Sequence, residues 1–150
     1  MIKKIPVIKC VRERSVSYEH DEGISSPQML ARIAHATIGN EDREHFLVIH
    51  LNAKHKVIST EIVSVGSLSA CLVHPREVFK GAIVAGASVV GLAHNHPSGD
   101  TTPSPEDIAL TKQLIQAGEI LGIKVIDHVI VGDPFKHTSI RETNFHLGFS

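Results

Sequence analysis

The sequence predicts an α/β domain, and two observations carry that expectation. Helix-like segments run directly into short, apolar, β-branched ones, 75–87 into a run at Val89 and 105–121 into 124–131, the passage that marks helices layered on a sheet. Each helix-like segment also has a start signal, Ser26-Pro27, Pro75 and Ser104-Pro105, with proline placed where the helix needs no backbone N–H. At 150 residues and 42% hydrophobic content, the chain has enough apolar surface for one core.

In chain order, Ile5-Pro6-Val7-Ile8-Lys9-Cys10-Val11 reads as an edge strand, since proline near its start is tolerated there. The polar stretch 12–25 reads as an irregular arm, so 1–25 is taken as an amino-terminal strand and arm and 26–150 as the domain proper, one globular unit overall. Ser26 caps a helix over 27–38 whose apolar face is Met29, Leu30, Ile33 and Ala34, and Gly39-Asn40 ends it. Strands are expected over 46–51 and 57–65, joined by the turn-like Asn52-Ala53-Lys54. After the helix from Pro75 and the strand at Val89, Gly122 closes the helix that began at Pro105. A last short strand is expected over 136–141, with a loose tail after Glu142.

Composition narrows the function classes. A net charge of −1 gives no electrostatic footprint for nucleic acid, and Lys3, Lys4, Lys9, Arg12 and Arg14 read as a solvated strand edge. Cys10 and Cys71 lack C-x-x-C spacing, and no apolar run approaches the roughly 20 residues of a membrane span. With no signal-peptide core at the amino terminus, the cytoplasm is the expected compartment.

The chemistry concentrates in His94-Asn95-His96-Pro97-Ser98-Gly99-Asp100 and Ser104-Pro105-Glu106-Asp107. The buried strand expected before His94 delivers His94 and His96, two apart and so on one face, to a single point. Pro97 keeps His96 extended, a turn follows, and Ser104 caps a helix whose first turn holds Asp107. Two neutral imidazoles and a carboxylate suit zinc, with a fourth position left for water. Ser104 and Asp107 can equally form a plain capping box, and Asp100 competes as third ligand although its place in a turn favours a bond to its own backbone. Asp127-His128 reads as a structural pair or as support behind a ligand, and Asp127 or a backbone carbonyl can serve the second ring nitrogen of a ligating histidine. The chain has 11 histidines, and His20, His35, His45, His50, His55, His137 and His146 show no metal spacing.

The segment from His94 to Asp107 resembles the signature of the JAMM/MPN zinc metallopeptidases, a glutamate followed later by H-x-H-P, a spacer and S-x-x-D. With His74-Pro75-Arg76-Glu77-Val78-Phe79-Lys80 ahead of it and Asp127-His128-Val129-Ile130-Val131-Gly132 after it, the chain resembles the RadC branch, over roughly residues 26–141. The resemblance implies a single mixed sheet flanked by helices of the JAMM/MPN, cytidine-deaminase-like type. It also implies His94, His96 and Asp107 as zinc ligands, and Ser104 as support for the oxyanion. The glutamate of such enzymes precedes a hydrophobic strand early in the domain, which makes Glu44 the match, with Glu41 and the more distant Glu77 as rivals. The activity implied is hydrolysis of a peptide or isopeptide bond, with a glutamate as base and a peptide or protein as partner. Two alternatives stand beside it, a DNA-associated repair or prophage protein and a binding module stabilised by zinc. Members of the branch commonly carry a helix-hairpin-helix-like region, for which this chain is too short.

Overall fold

The computed structural model describes residues 4–9, 22–66, 73–133 and 135–149. Helix α1 (Pro27–Ile38) starts where Ser26 Oγ accepts the Met29 N–H. Strands β1 (His45–Leu51) and β2 (Val57–Val65) form a hairpin, and α2 (Pro75–Ala85) leads into β3 (Val89–Asn95). Helix α3 (Pro105–Leu121) crosses to β4 (Lys124–Gly132), followed by β5 (Lys136–Ser139), the short α4 (Ile140–Thr143) and a 3-10 turn, Phe145–Leu147.

Among the described residues five strands lie in the order β2-β1-β3-β4-β5. Only β3 and β4 are parallel, as the α3 crossover between them requires, so the sheet is mixed. The strands β1 and β3 are buried along their whole length, because both faces are covered. On one face Leu47, Ile49, Leu51 and Ala93 pack with Leu30, Ala34 and Ile38 of α1. On the other Phe46, Val48, Val90 and Leu92 pack with Phe79 and Ala82 of α2 and Leu110 and Leu114 of α3. Gly91 gives α1 room, since a Cβ there would stand 2.5 Å from Leu30 Cδ2. Among the described residues no helix is long and apolar enough to cross a membrane.

The β3–β4 ladder contains one irregularity that matters for function. Val90 pairs with Val125 but Gly91 pairs with Asp127, so two residues of β4 advance against one of β3. Val125 faces α2 and α3, whereas Ile126, Val129 and Val131 face α1. The extra residue thus inverts the alternation, and His128 comes to lie opposite Leu92 on the α3 side of the sheet.

Several expectations need correction. The described part of the amino-terminal strand, residues 4–9, is unpaired, with Ile5, Val7 and Ile8 at 85%, 92% and 88% exposure. The outer strands are β2 and β5, so this segment joins no ladder, and Lys4 and Lys9 are solvated without a strand beneath them. The rest of that strand and most of the arm, with Cys10 and Cys71, fall outside the described residues. Helix α2 stops at Ala85 instead of near residue 87, because Gly86 takes a left-handed conformation, φ 72°, and caps it. The strand expected over 136–141 ends at Ser139, whose hydroxyl oxygen accepts the Glu142 N–H and opens α4. The tail after Glu142 is not loose throughout, since Leu147 and Phe149 pack on the core beneath α2 and α3.

Candidate metal centre

The centre lies where β3 ends and α3 begins. His94 is the last but one residue of β3, and His96 follows the strand, its N–H bonded to the Val131 carbonyl at 2.9 Å. The turn that returns the chain to α3 lies against β4 at Gly132, where a Cβ would stand 2.7 Å from the Gly99 carbonyl oxygen. Ser104 then caps α3, and Asp107 occupies the third helical position with its side chain turned back toward the strand. His94 Nε2 and His96 Nε2 are 2.9 Å apart, and each lies 3.4 Å from a carboxylate oxygen of Asp107. His94, His96 and Asp107 form the one such group among the described residues that can hold a metal ion.

The donor chemistry fits a cation. His96 Nδ1 donates to the Asp100 carbonyl at 2.7 Å, which leaves Nε2 as a lone pair facing its neighbours. Donors about 2.0–2.1 Å from one tetrahedral ion stand about 3.3 Å apart, close to the three separations here. Burial acts to raise the Asp107 carboxyl, but the His94 and His96 imidazoles beside it outweigh burial and hold the group far below the usual carboxylate range. Burial lowers the His94 pKa below its ordinary 6.5, whereas the Asp107 carboxylate beside it raises that of His96. His94 is wholly buried, Asp107 is 3% exposed and the His96 side chain is 14% exposed, so the cluster opens to solvent on the His96 side.

The capping and ligand readings of Ser104 and Asp107 turn out to be compatible. Asp107 Oδ2 accepts the Ser104 N–H at 2.9 Å, and Ser104 Oγ accepts the Asp107 N–H at 3.1 Å, so the capping box orients the carboxylate that meets both imidazoles. Asp100 stays out of the cluster, because its Oδ1 accepts the Thr102 N–H. Asp127 also stays out, its carboxylate accepting from the His128 N–H, Ser139 Oγ and the Arg141 N–H, which ties α4 to β4.

Three candidate glutamates separate clearly. Glu77 pairs with Lys80 at 2.9 Å on the surface of α2. Glu41 is half exposed and lies 3.8 Å from His45 Nε2. Glu44 immediately precedes β1, is partly buried, and stands close enough for its charge to raise the proton affinity of His94 and His96.

Sequence reasoning missed the residue that fixes the loop carrying Glu44. Asn95 accepts the His45 N–H at 2.6 Å and donates to the carbonyls of Arg43 at 2.9 Å and Glu41 at 3.4 Å, so residues 41–45 are clamped to the strand that bears the histidines. Its signal was a polar residue between two candidate ligands, pointing to the opposite face of a buried strand. Thr111 had no comparable signal, whereas His128, read with Asp127 as a structural pair or as support behind a ligand, is the member of that pair that stands behind His94. Of the histidines without metal spacing, His35, His45, His50, His55, His137 and His146 lie outside the cluster, and His20 falls outside the described residues.

A sequence profile described as the RadC-like JAB domain matches residues 24–145. The chain belongs to the RadC-like JAB domain family. A UPF0758 protein of Caldanaerobacter subterraneus subsp. tengcongensis is 49% identical over 123 residues, 82% of this chain and 52% of the relative. One from Moorella thermoacetica is 55% identical over 103 residues, 69% of this chain and 44% of the relative. A third, from Methanosarcina mazei, is 41% identical over 122 residues, 81% of this chain and 53% of the relative. This RadC-like JAB domain thus spans about half the length of the curated relatives it matches. Its mixed five-stranded sheet flanked by helices agrees with the JAB/MPN fold, as the sequence implied.

Proposed function

We propose that this chain is a zinc-dependent hydrolase of the JAMM type that cleaves a peptide or isopeptide bond. The observation that carries the reading is the donor set. Two imidazole Nε2 atoms and an ionised carboxylate lie within 4.8 Å of one another at a site open on one side. His94, His96 and Asp107 would hold the ion. When bound, zinc supplies a coordinated water with a pKa near 7 and a positive charge beside the scissile carbonyl.

The remaining work belongs to the chain. Glu44 takes the proton of the attacking water on its carboxylate and returns it to the leaving amine, for which the Asn95 clamp holds its loop beside the histidines. The Ser104 oxygen is engaged by the Asp107 N–H, but the hydroxyl keeps its own hydrogen to donate to the carbonyl oxygen as negative charge collects there. Ser104 as nucleophile is not supported, because its hydroxyl sits in a capping box and the nearby imidazoles face the ion site.

The test uses zinc-loaded chain and a mixed pool of peptides and isopeptide-linked peptides, with products read by mass spectrometry. Cleavage is expected, and Glu44→Gln is expected to keep its zinc while turning over about 10²–10⁴-fold more slowly. Wild-type turnover in Glu44→Gln would remove Glu44 as the base. Zinc retained by both His94→Ala and His96→Ala would remove the centre itself.

A further inference from the structure

Behind His94 runs a chain of hydrogen bonds that the proposed chemistry leaves unused. His94 Nδ1 lies 2.7 Å from His128 Nε2, and His128 Nδ1 lies 2.6 Å from Thr111 Oγ. Thr111 Oγ in turn donates to the Asp107 backbone carbonyl at 2.6 Å. All three side chains belong to residues that are 0% exposed.

The direction of this chain follows from counting hydrogens. A threonine hydroxyl has one, and once it is given to the Asp107 carbonyl the oxygen can only accept, so His128 carries its proton on Nδ1. His128 Nε2 is then a bare lone pair that accepts from His94 Nδ1–H. That leaves His94 Nε2 without a hydrogen, facing His96 and Asp107. Both ring nitrogens of His128 meet uncharged groups in a fully buried setting, which disfavours a second proton on the ring. Phe46 packs against both rings, with centroids 6.3 Å from His94 and 5.3 Å from His128.

We infer that Thr111 and His128 are positioning residues that set the tautomer of His94, so that Nε2 is presented bare to a cation. The inference rests on the metal centre proposed above. It gives α3 two tasks one turn apart, since Asp107 supplies the carboxylate and Thr111, four residues on, anchors the tautomer of the opposing ligand. His96 is set independently, by the Asp100 carbonyl.

The experiment takes the whole chain, labelled with nitrogen-15 in its histidines, in metal-free buffer. Nitrogen NMR, which separates protonated from bare ring nitrogens, is expected to find His94 protonated at Nδ1 and bare at Nε2. Thr111→Val keeps the shape but removes the hydroxyl, and is expected to mix the two His94 tautomers. Zinc affinity, read by competition with a coloured chelator, is expected to fall about 10–100-fold in that variant. Thr111→Ser, which restores the hydroxyl, is expected to recover both readouts, as a purely space-filling role for the methyl group would not. A wild-type His94 protonated at Nε2, or a Thr111→Val protein with unchanged tautomer and unchanged zinc affinity, overturns the inference. Wild-type zinc binding that survives both His94→Ala and His96→Ala instead overturns the metal centre, and this inference with it.

Discussion

Asp107→Asn separates the two roles that Asp107 performs. An asparagine oxygen can still accept the Ser104 N–H that Asp107 accepts at 2.9 Å, so the helix start is expected to lose less than about 1 kcal/mol. What disappears is the negative charge 3.4 Å from each Nε2. Zinc sites with four ligands bind with about 10–16 kcal/mol, so one ligand is worth about 2.5–4 kcal/mol, and its loss is expected to weaken binding about 10²–10³-fold. Zinc at 100 times the wild-type Kd stabilises the folded chain by about 2.7 kcal/mol, and the same concentration is expected to stabilise Asp107→Asn by less than about 0.5 kcal/mol. For a domain of this size, 1 kcal/mol moves Tm by about 2–4 °C. Thermal unfolding with and without zinc is therefore expected to show a rise of about 5–11 °C for the wild type and of at most about 2 °C for Asp107→Asn. Asp100→Asn, whose side chain bonds Thr102 outside the cluster, is expected to behave as wild type. A full zinc-induced rise in Asp107→Asn, or its loss in Asp100→Asn, would refute the assignment.

Three further outcomes are expected. Ser104→Ala removes the oxygen that accepts the Asp107 N–H, which is expected to cost about 1 kcal/mol in denaturant titrations. Zinc stoichiometry should persist while turnover falls, about 10²–10³-fold if the hydroxyl serves the oxyanion. Asn95→Ala leaves the buried His45 N–H without its partner, so a loss of about 1–3 kcal/mol is expected, together with faster hydrogen exchange across residues 41–45; unchanged exchange there would count against the clamp. His50 is 2% exposed, with Nε2 unpartnered, and burial lowers its pKa below 6.5. Above 6.5 neither state holds the proton, whereas below it the unfolded chain takes the proton first, so stability falls as the pH drops through that point. Replacing His50 with Phe is expected to flatten this decline by up to about 1.4 kcal/mol per pH unit, and an unchanged pH profile of urea midpoints would show that another group drives it.

The sequence made visible what is local. Ser26-Pro27, Ser104-Pro105 and Gly122 are cap signals carried within one turn, and α1 and α3 begin and end where those residues stand. His94, His96 and Asp107 lie within 14 consecutive residues, so strand alternation and one helix start sufficed to bring them together. The amino-terminal segment 4–9 misled because proline and apolar residues describe an edge strand only if an edge is free beside them, which no local pattern reports. The carboxyl-terminal strand misled because Ser139 is as good a helix cap as a strand residue, and its bond to Asp127, 12 positions away, decides the matter. Asn95 reaches across 50 residues to His45, and His128 across 34 to His94, distances over which periodicity has no memory.

The irregular step between Val125 and Asp127 has a consequence for how relatives are compared. A homologue of equal length whose β4 ran on without that step would keep each letter of the signature and still turn that imidazole away toward α1, leaving the strand-borne ligand with no neighbour to orient it. Whether β4 keeps this step therefore says more about an intact centre than does matching the H-x-H-P and S-x-x-D wording.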